Sequence, residues 1–424
     1  MFNFPRLIRL FFFPVTLMFW SFIFIEVQLV SADSPIKNHS LPINAYTTSQ
    51  IPIITGTLGT IDPSNQTVIF WHNQHGSREE LLRQLITQFN NQNPYNISVS
   101  GIDQGNLSDI RDKIDYVSTS GDLPNLTIGY QSDSAHYYAD LQIAQDLTPY
   151  VNDEQWGLTP SEKNDYSTFI LDSEIHPEYG GKQLAFPYQR VMYVLFYNKT
   201  WMTELGVDVP PSFTPQKIED IACAAIRNRN DGKGGLILDF SASNFAATVM
   251  ARGGNVLSDS GLCYTYNTPA STAYLTQLKR MYDNGCAWQS PQKYHDYEFA
   301  QRDAILYTAS SKDAYFVQNS MTAFNNSDEW GIAPIPYTTT SPVIDTYGTS
   351  LIMLKNTPEQ QLATWVFIKW LIEPEQQAFW IENNHFIPIR YSTATYLADY
   401  FLLHPQYTQI PNWLQYSDFE PPLI

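Results

Sequence analysis

The sequence predicts an α/β protein with a mostly parallel sheet and enough chain for two lobes. Two observations carry this. Between residues 67 and 130, strand-like and helix-like segments alternate strand-helix-strand-helix-strand, which is the pattern of helical crossovers joining parallel strands. At 424 residues the chain can also bury two separate cores.

The elements follow in order. Arg6 and Arg9 precede an apolar run over 10–25, and Val30-Ser31-Ala32 supplies the small residues a signal peptidase favours, so 1–32 is read as an export signal. Glu26 interrupts the run and makes it slightly short for a comfortable membrane span; an uncleaved anchor is the alternative. Residues 33–66 are rich in Ser, Thr, Asn, Pro and Ile without periodicity and read as a flexible spacer. Thr67-Val68-Ile69-Phe70-Trp71 is a buried strand and 72–76 the turn after it. From Arg78 to Phe89 apolar residues recur at helical spacing, ending at an Asn-rich stop before Pro94. Residues 96–100 alternate as a second strand, 107–119 form a second helix and 125–130 a third strand. Ligands of such sheets bind beyond the carboxyl ends of the strands, which directs attention to residues after Trp71 and Ile128. Farther on, an apolar strand stops at Asn198-Lys199, and a short helix closes at Gly206 before Pro210-Pro211. Thr357 caps an amphipathic helix running to Trp370.

Composition narrows the function. A net charge of −18 without a Lys/Arg cluster disfavours nucleic acid and polyphosphate partners, since no basic face is available to release counterions. Aromatic content of 14% exceeds what two cores need, so some rings are expected to face a ligand cleft or lobe interface. His72 and His75 invite a metal reading, but no third ligand stands nearby, and His136, His176, His295, His385 and His404 are scattered. No Gly-x-Ser-x-Gly elbow is present, and no carboxylate pair is singled out for glycoside hydrolysis. The loop 228–235 has too few oxygen ligands for calcium, and its Gly232-Lys233-Gly234 lacks the strand and helix flanks of a phosphate loop. Three cysteines in an exported chain allow one intramolecular disulfide, and Cys263 with Cys286 brackets helix 269–284.

Phe186-Pro187-Tyr188 leading to Leu195-Phe196-Tyr197-Asn198-Lys199, then Leu205-Gly206-Val207 and Pro210-Pro211-Ser212, resembles the lobe-crossing segment of extracellular solute-binding proteins of ABC importers. The subgroup is the maltose-binding-like one, with its sugar-binding and glycerol-phosphate-binding members. Phe70-Trp71-His72, the helix end Phe89-Asn90 with Asn93-Pro94, Gly129-Tyr130-Gln131, Trp330-Gly331-Ile332-Ala333-Pro334-Ile335-Pro336 and Tyr347-Gly348-Thr349-Ser350 are similar to the family in unbroken order. The similarity runs from Thr67 to about Arg390.

This resemblance implies a two-lobe, periplasmic-binding-protein-like (type II) fold with three crossings, near Arg190, Asp303 and Tyr347. The N-terminal lobe would comprise 67–187 and 304–346, and the C-terminal lobe 188–303 and 347–424. It implies a non-enzymatic, monomeric receptor outside the cytoplasmic membrane, without a cofactor, that hands a sugar, oligosaccharide or glycerol-phosphate-like polyol to ABC permease subunits. A surface-anchored glycan-degrading enzyme and a sensory or adhesion module are the alternatives. Relatives often carry a lipidated Cys after the signal, but the first here is Cys223, which excludes that tether. The ligand-binding set implied by position is His72 and Gln74 after strand one; Tyr130, Gln131 and Asp133 after strand three; Gln189 and Arg190 at the first crossing; and Phe245, Ser310, Ser311, Tyr347 and Gly348. Arg190 departs from the small residues of glycerol-phosphate binders and is either a bidentate anion clamp or the partner of an acidic neighbour across the lobes. Phe245 stands where those binders have a Trp-rich segment. The wording around Cys223 and Cys286 implies that these two form the disulfide.

Overall fold

The computed structural model describes residues 58–227, 229, 231, 233–258 and 263–418. The expected export signal and the spacer up to residue 57 lie outside these residues. The spacer's last part does not behave as a linker: Leu58 is buried in a core, and its N–H donates to Asp153.

In chain order the strands are β1 (Thr67–His72), β2 (Ser98–Asp103), β3 (Leu126–Gly129), β4 (Ile175–His176), β5 (Lys182–Gln183), β6 (Phe186–Pro187) and β7 (Val191–Asn198). There follow β8 (Leu236–Ile237), β9 (Ala287–Trp288), β10 (Leu306–Ser310), β11 (Trp330–Pro334), β12 (Ile344–Tyr347), β13 (Ser350–Met353) and β14 (Ser417–Asp418). The first sheet has the order β2-β1-β3-β13-β6, with β1 parallel to β2 and β3, and β13 antiparallel to β3 and β6. The second has the order β14-β12-β7-β10-β8-β9, with β11 also on β7. β4 and β5 form a separate antiparallel hairpin.

The predicted opening elements form for the reasons read from the residues. Helix α1 (Ser77–Gln92) buries Leu82, Leu85, Ile86 and Phe89, and Glu79 and Glu80 in its first turn favour the helix dipole. Its end is held by Asn93, whose side-chain amide donates to Phe89 and Ile97 carbonyls. Helix α2 (Leu107–Val117) starts in a reciprocal capping box of Asn106 and Asp109. Helix Pro358–Leu371 begins at Thr357, whose hydroxyl accepts from the Gln360 N–H, and its Phe367 meets Phe89 edge-on at 5.0 Å. That contact places the late helix on the first sheet.

Two large cores follow the sheets. The first joins Val68, Phe70, Phe186 and Tyr188 to Leu351, Trp365 and Leu371; the second joins Met192, Phe196 and Tyr307 to Leu397, Tyr407 and Leu414. The chain passes between sheets at 188–190 and 348–349. It passes between cores again after helix Pro374–Asn384, where the Ile387 N–H donates to the Arg190 carbonyl.

The segment assignment therefore differs from expectation. β10, β11 and β12, expected in the first lobe, all pair with β7 in the second sheet, and no change of sheet occurs at Asp303. β13 and helix Pro358–Leu371, expected in the second lobe, belong to the first core. Cys223, on helix Pro215–Arg227, is joined to Cys286 just before β9, with Cα atoms 4.5 Å apart, while Cys263 is free and exposed. Among the described residues no helix is long and apolar enough to cross a membrane.

Candidate ligand-binding site at the crossings

Strand direction brings two sets of chain ends to the crossings. In the first sheet β1 and β3 end at His72 and Gly129, and Gly129 stands beside Ser350, the first residue after the second crossing. In the second sheet β10 ends at Ser310 opposite Tyr193, β11 at Pro334 opposite Val194, and β12 at Tyr347 opposite Val191. Carboxyl-terminal strand ends of both sheets thus adjoin the same short connections.

On the first lobe, His72 is buried and its Nδ1 accepts from the Gln74 N–H at 3.3 Å. Burial pushes its imidazole pKa down to about 4, so the ring is neutral and hydrogen-bonding at pH 7. Gln74 is also buried, and its amide donates to Asn73 Oδ1 at 2.6 Å. His75, on the same loop, is held by Asp103 at 2.5 Å. Tyr130 is exposed and opens helix α3 (Gln131–Ala139), where its N–H donates to Asp133 Oδ2 at 2.8 Å. Burial raises the Asp133 pKa, and the carboxylate also lies 3.6 Å from Arg111. Asp133 therefore caps a helix. Gln131 donates to the Ser173 carbonyl at 2.6 Å.

Arg190 resolves toward the ion pair. Its guanidinium is 2% exposed and lies 2.8 Å from Glu174, and it donates as well to Ser173 Oγ, Ser350 Oγ and the Gln189 and Thr349 carbonyls. Its charge is already met inside the protein, so the anion-clamp expectation is corrected: a clamp must keep its fork for the ligand. Gln189 is buried beside it, its N–H donating to the Thr349 carbonyl and its Oε1 accepting from Thr349 Oγ1 at 3.3 Å. Gly348 has φ 152°, and a Cβ there would lie 1.9 Å from the Gln189 carbonyl oxygen. Only glycine lets the two crossings approach so closely. Ser311 is buried, exchanging hydrogen bonds with Met192, whereas Ser310 is half-buried and accepts from the Lys312 N–H. Tyr347 is partly exposed and packs against a small core of Tyr193, Ala247, Ala251 and Ile335.

Phe245 belongs to a separate part of the second lobe. It lines a cavity of about 450 Å³ with Asp239, Phe240, Ser241, Tyr266 and Tyr274. Asp239 links this cavity to β7: the Tyr193 hydroxyl donates to its carboxylate, which also accepts from the Ser241 N–H at 2.7 Å. Phe240 and Tyr266 are exposed, with Tyr266 stacked on Tyr264 and tilted against Phe245. Sequence reasoning missed Asp239 and Phe240, because β8 is only two residues long and shows no periodicity, and it missed Tyr193, whose place inside the apolar β7 reads as core. The one available signal was Ser241, which caps helix Ala242–Ala251 by accepting from the Asn244 N–H.

Lys312 was also missed. It lies 4.2 Å from the Phe386 ring centroid, and Phe386 packs on both main cores. Burial, with Arg78 at the start of α1, pushes its pKa down to about 8. His385 next to it stacks on Tyr315 at 4.1 Å and is held neutral by burial, which pushes its pKa down to about 4. The arrangement offers carboxylate, amide and hydroxyl groups together with exposed aromatic rings. It suits hydrogen-bonded recognition of a polar ligand.

No curated protein sequence matches the chain. Among solved structures, a sugar-binding protein, MalE, of Xanthomonas citri matches with a TM-score of 0.72 at 20% identity, covering 84% of this chain and 87% of that one. The cyclic α-maltosyl-1,6-maltose binding protein of Arthrobacter globiformis matches with a TM-score of 0.70 at 20% identity, over 84% and 88% of the two chains. UgpB of Mycobacterium tuberculosis, solved with glycerophosphocholine, matches with a TM-score of 0.66 at 19% identity, over 84% and 87%. These likenesses establish the two-lobe α/β fold. The family model for bacterial extracellular solute-binding proteins matches residues 84–411, more than three quarters of the sequence. The chain therefore belongs to the bacterial extracellular solute-binding protein family, whose members are receptors and not enzymes.

Proposed function

We propose that this protein is the monomeric receptor of an ABC importer, capturing a sugar, an oligosaccharide or a glycerol-phosphate-like polyol outside the cytoplasmic membrane and presenting it to paired permease subunits. The observation that supports the reading is that carboxyl-terminal strand ends of both sheets adjoin the crossings; the reading takes Asp239, Tyr193, Phe240 and Tyr266 as second-lobe contacts and His72, Gln74 and Tyr130 as first-lobe contacts. Carboxylate and amide oxygens accept from sugar hydroxyls while ring faces cover the apolar face of the sugar. The solved neighbours, one named for binding cyclic α-maltosyl-1,6-maltose and one solved with glycerophosphocholine, support both ligand classes. With Arg190 engaged by Glu174, a neutral saccharide fits better than a strongly anionic ligand.

A thermal-shift screen over maltooligosaccharides, polyols and glycerophosphocholine tests the proposal. Ligand at 100 times its Kd should add about 2.7 kcal/mol of stability. Stabilisation without turnover supports the receptor reading, and loss of the compound on incubation overturns it.

A further inference from the structure

Three stretches of backbone meet at one residue, Arg190. Its own carbonyl accepts from the Ile387 N–H at 2.9 Å, on the stretch that follows helix Pro374–Asn384. Its guanidinium donates to the Thr349 carbonyl at 2.7 Å and to Ser350 Oγ at 2.9 Å, on the chain returning from β12 to β13. It also reaches back to Ser173 Oγ at 3.1 Å and Glu174 Oε1 at 2.8 Å, in the first lobe. Ser350 Oγ donates in turn to Glu174 Oε1 at 2.6 Å, closing the network. The Thr349 carbonyl accepts from the Tyr188 and Gln189 N–H groups as well, so crossings 188–190 and 348–349 are bonded side by side.

The position of Arg190 matters as much as its partners. Val191, the next residue, begins β7 of the second sheet, while the guanidinium is anchored among first-lobe groups. A rotation of one lobe against the other must therefore either carry the whole cluster or break it. Breaking it would leave a buried charge without its partner, which is strongly unfavourable.

We propose that the Arg190–Glu174 pair is a hinge clasp, a positioning device that makes the three crossings one rigid joint and confines lobe motion to the backbone just beyond it, on the β7 and β12 side. The two-lobe receptor reading gives this clasp its purpose: a narrow hinge limits the orientations the open state explores and lowers the entropy lost on closing over a ligand. Arg190 acts on binding through the joint and touches no ligand.

The experiment is carried out without ligand, so its failure is separate from failure of the receptor reading. Nitroxide labels are placed by Asp112→Cys on α2 and Thr276→Cys on helix Pro269–Asp283, both exposed, with Cys263→Ser removing the free thiol. Pulsed electron resonance reads the distance distribution between lobes in the otherwise native protein and in Arg190→Met with Glu174→Met. Replacing both partners by apolar groups leaves no orphaned charge and is commonly neutral for stability. The proposal expects the distribution to broaden about twofold at an unchanged melting temperature. Faster amide exchange at Ile387, which the guanidinium does not touch, should accompany it. An unchanged width overturns the clasp. If the Met pair does not fold, Arg190→Lys is read by the same criterion, because an ammonium keeps the ion pair but cannot span Glu174, Thr349 and Ser350 together.

Discussion

Gly348→Ala is the sharpest probe of how the lobes are joined. The backbone at this position has φ 152°, a conformation that costs a residue with a Cβ about 1–3 kcal/mol. The added Cβ would also lie 1.9 Å from the Gln189 carbonyl oxygen, 2.8 Å from its carbon and 3.1 Å from Arg190 Cα. All three are backbone atoms, so no side chain can swing aside. Relief requires the crossings to part by about 1 Å, which stretches the bonds that the Thr349 carbonyl accepts from Tyr188, Gln189 and Arg190. Two neutral hydrogen bonds and one charged one are together worth about 3–5 kcal/mol. The expected loss is thus about 4–8 kcal/mol, a large part of the 5–15 kcal/mol by which a domain is usually stable. Urea unfolding followed by tryptophan fluorescence measures it, with Gly206→Ala as the control. Gly206 also has a positive φ, 71°, but open space where its Cβ would be, and should lose only about 1 kcal/mol. If the two variants lose the same amount, the close approach of the crossings is refuted.

Further outcomes follow from other parts of the molecule. Removing the bridge with Cys223→Ala and Cys286→Ala, 63 residues apart, should cost about 4 kcal/mol by chain entropy; a urea midpoint that does not move would contradict this. Asp313 has its pKa pushed up to about 7 by burial and by Asp296, despite Lys312. A raised carboxyl pKa means the folded state holds the proton longer, so stability falls as pH rises from about 4 to 7 and then levels. Asp313→Asn should therefore gain on the native protein across that window, as read by melting temperature against pH, and a constant difference at every pH would dismiss the titration. Asp239→Asn should weaken the best saccharide from the thermal-shift screen about tenfold or more, as expected for losing a charged hydrogen bond, while calorimetry showing unaltered affinity would remove Asp239 from the site.

Local chemistry settled much of the fold before any contact was known. The alternation from Thr67 to Tyr130 is legible because each strand and helix carries its own periodicity and stop signals, such as Asn93-Pro94 and the Asn106 cap. Thr357 marks its helix for the same reason. The order of short motifs led to the family, since each is a local strand end or turn. Tertiary structure alone decided which sheet each later strand joins. β10 and β11 lie more than 100 residues from β7 in sequence, and a strand's pattern reports that one face is buried without saying against which partner. Arg190 shows the same limit at one residue: a buried guanidinium and a ligand clamp look identical in a sequence, and the choice fell to Glu174, Thr349 and Ser350, which folding brings together from separate parts of the chain. Spacing left two disulfides open for Cys286, and the Cys223 pairing required helix Pro215–Arg227 to pack beside β9. Periodicity and caps act over a few residues and are written in order along the chain, whereas pairing, ion partners and cleft walls depend on groups tens to hundreds of residues apart, whose meeting only the packed cores determine.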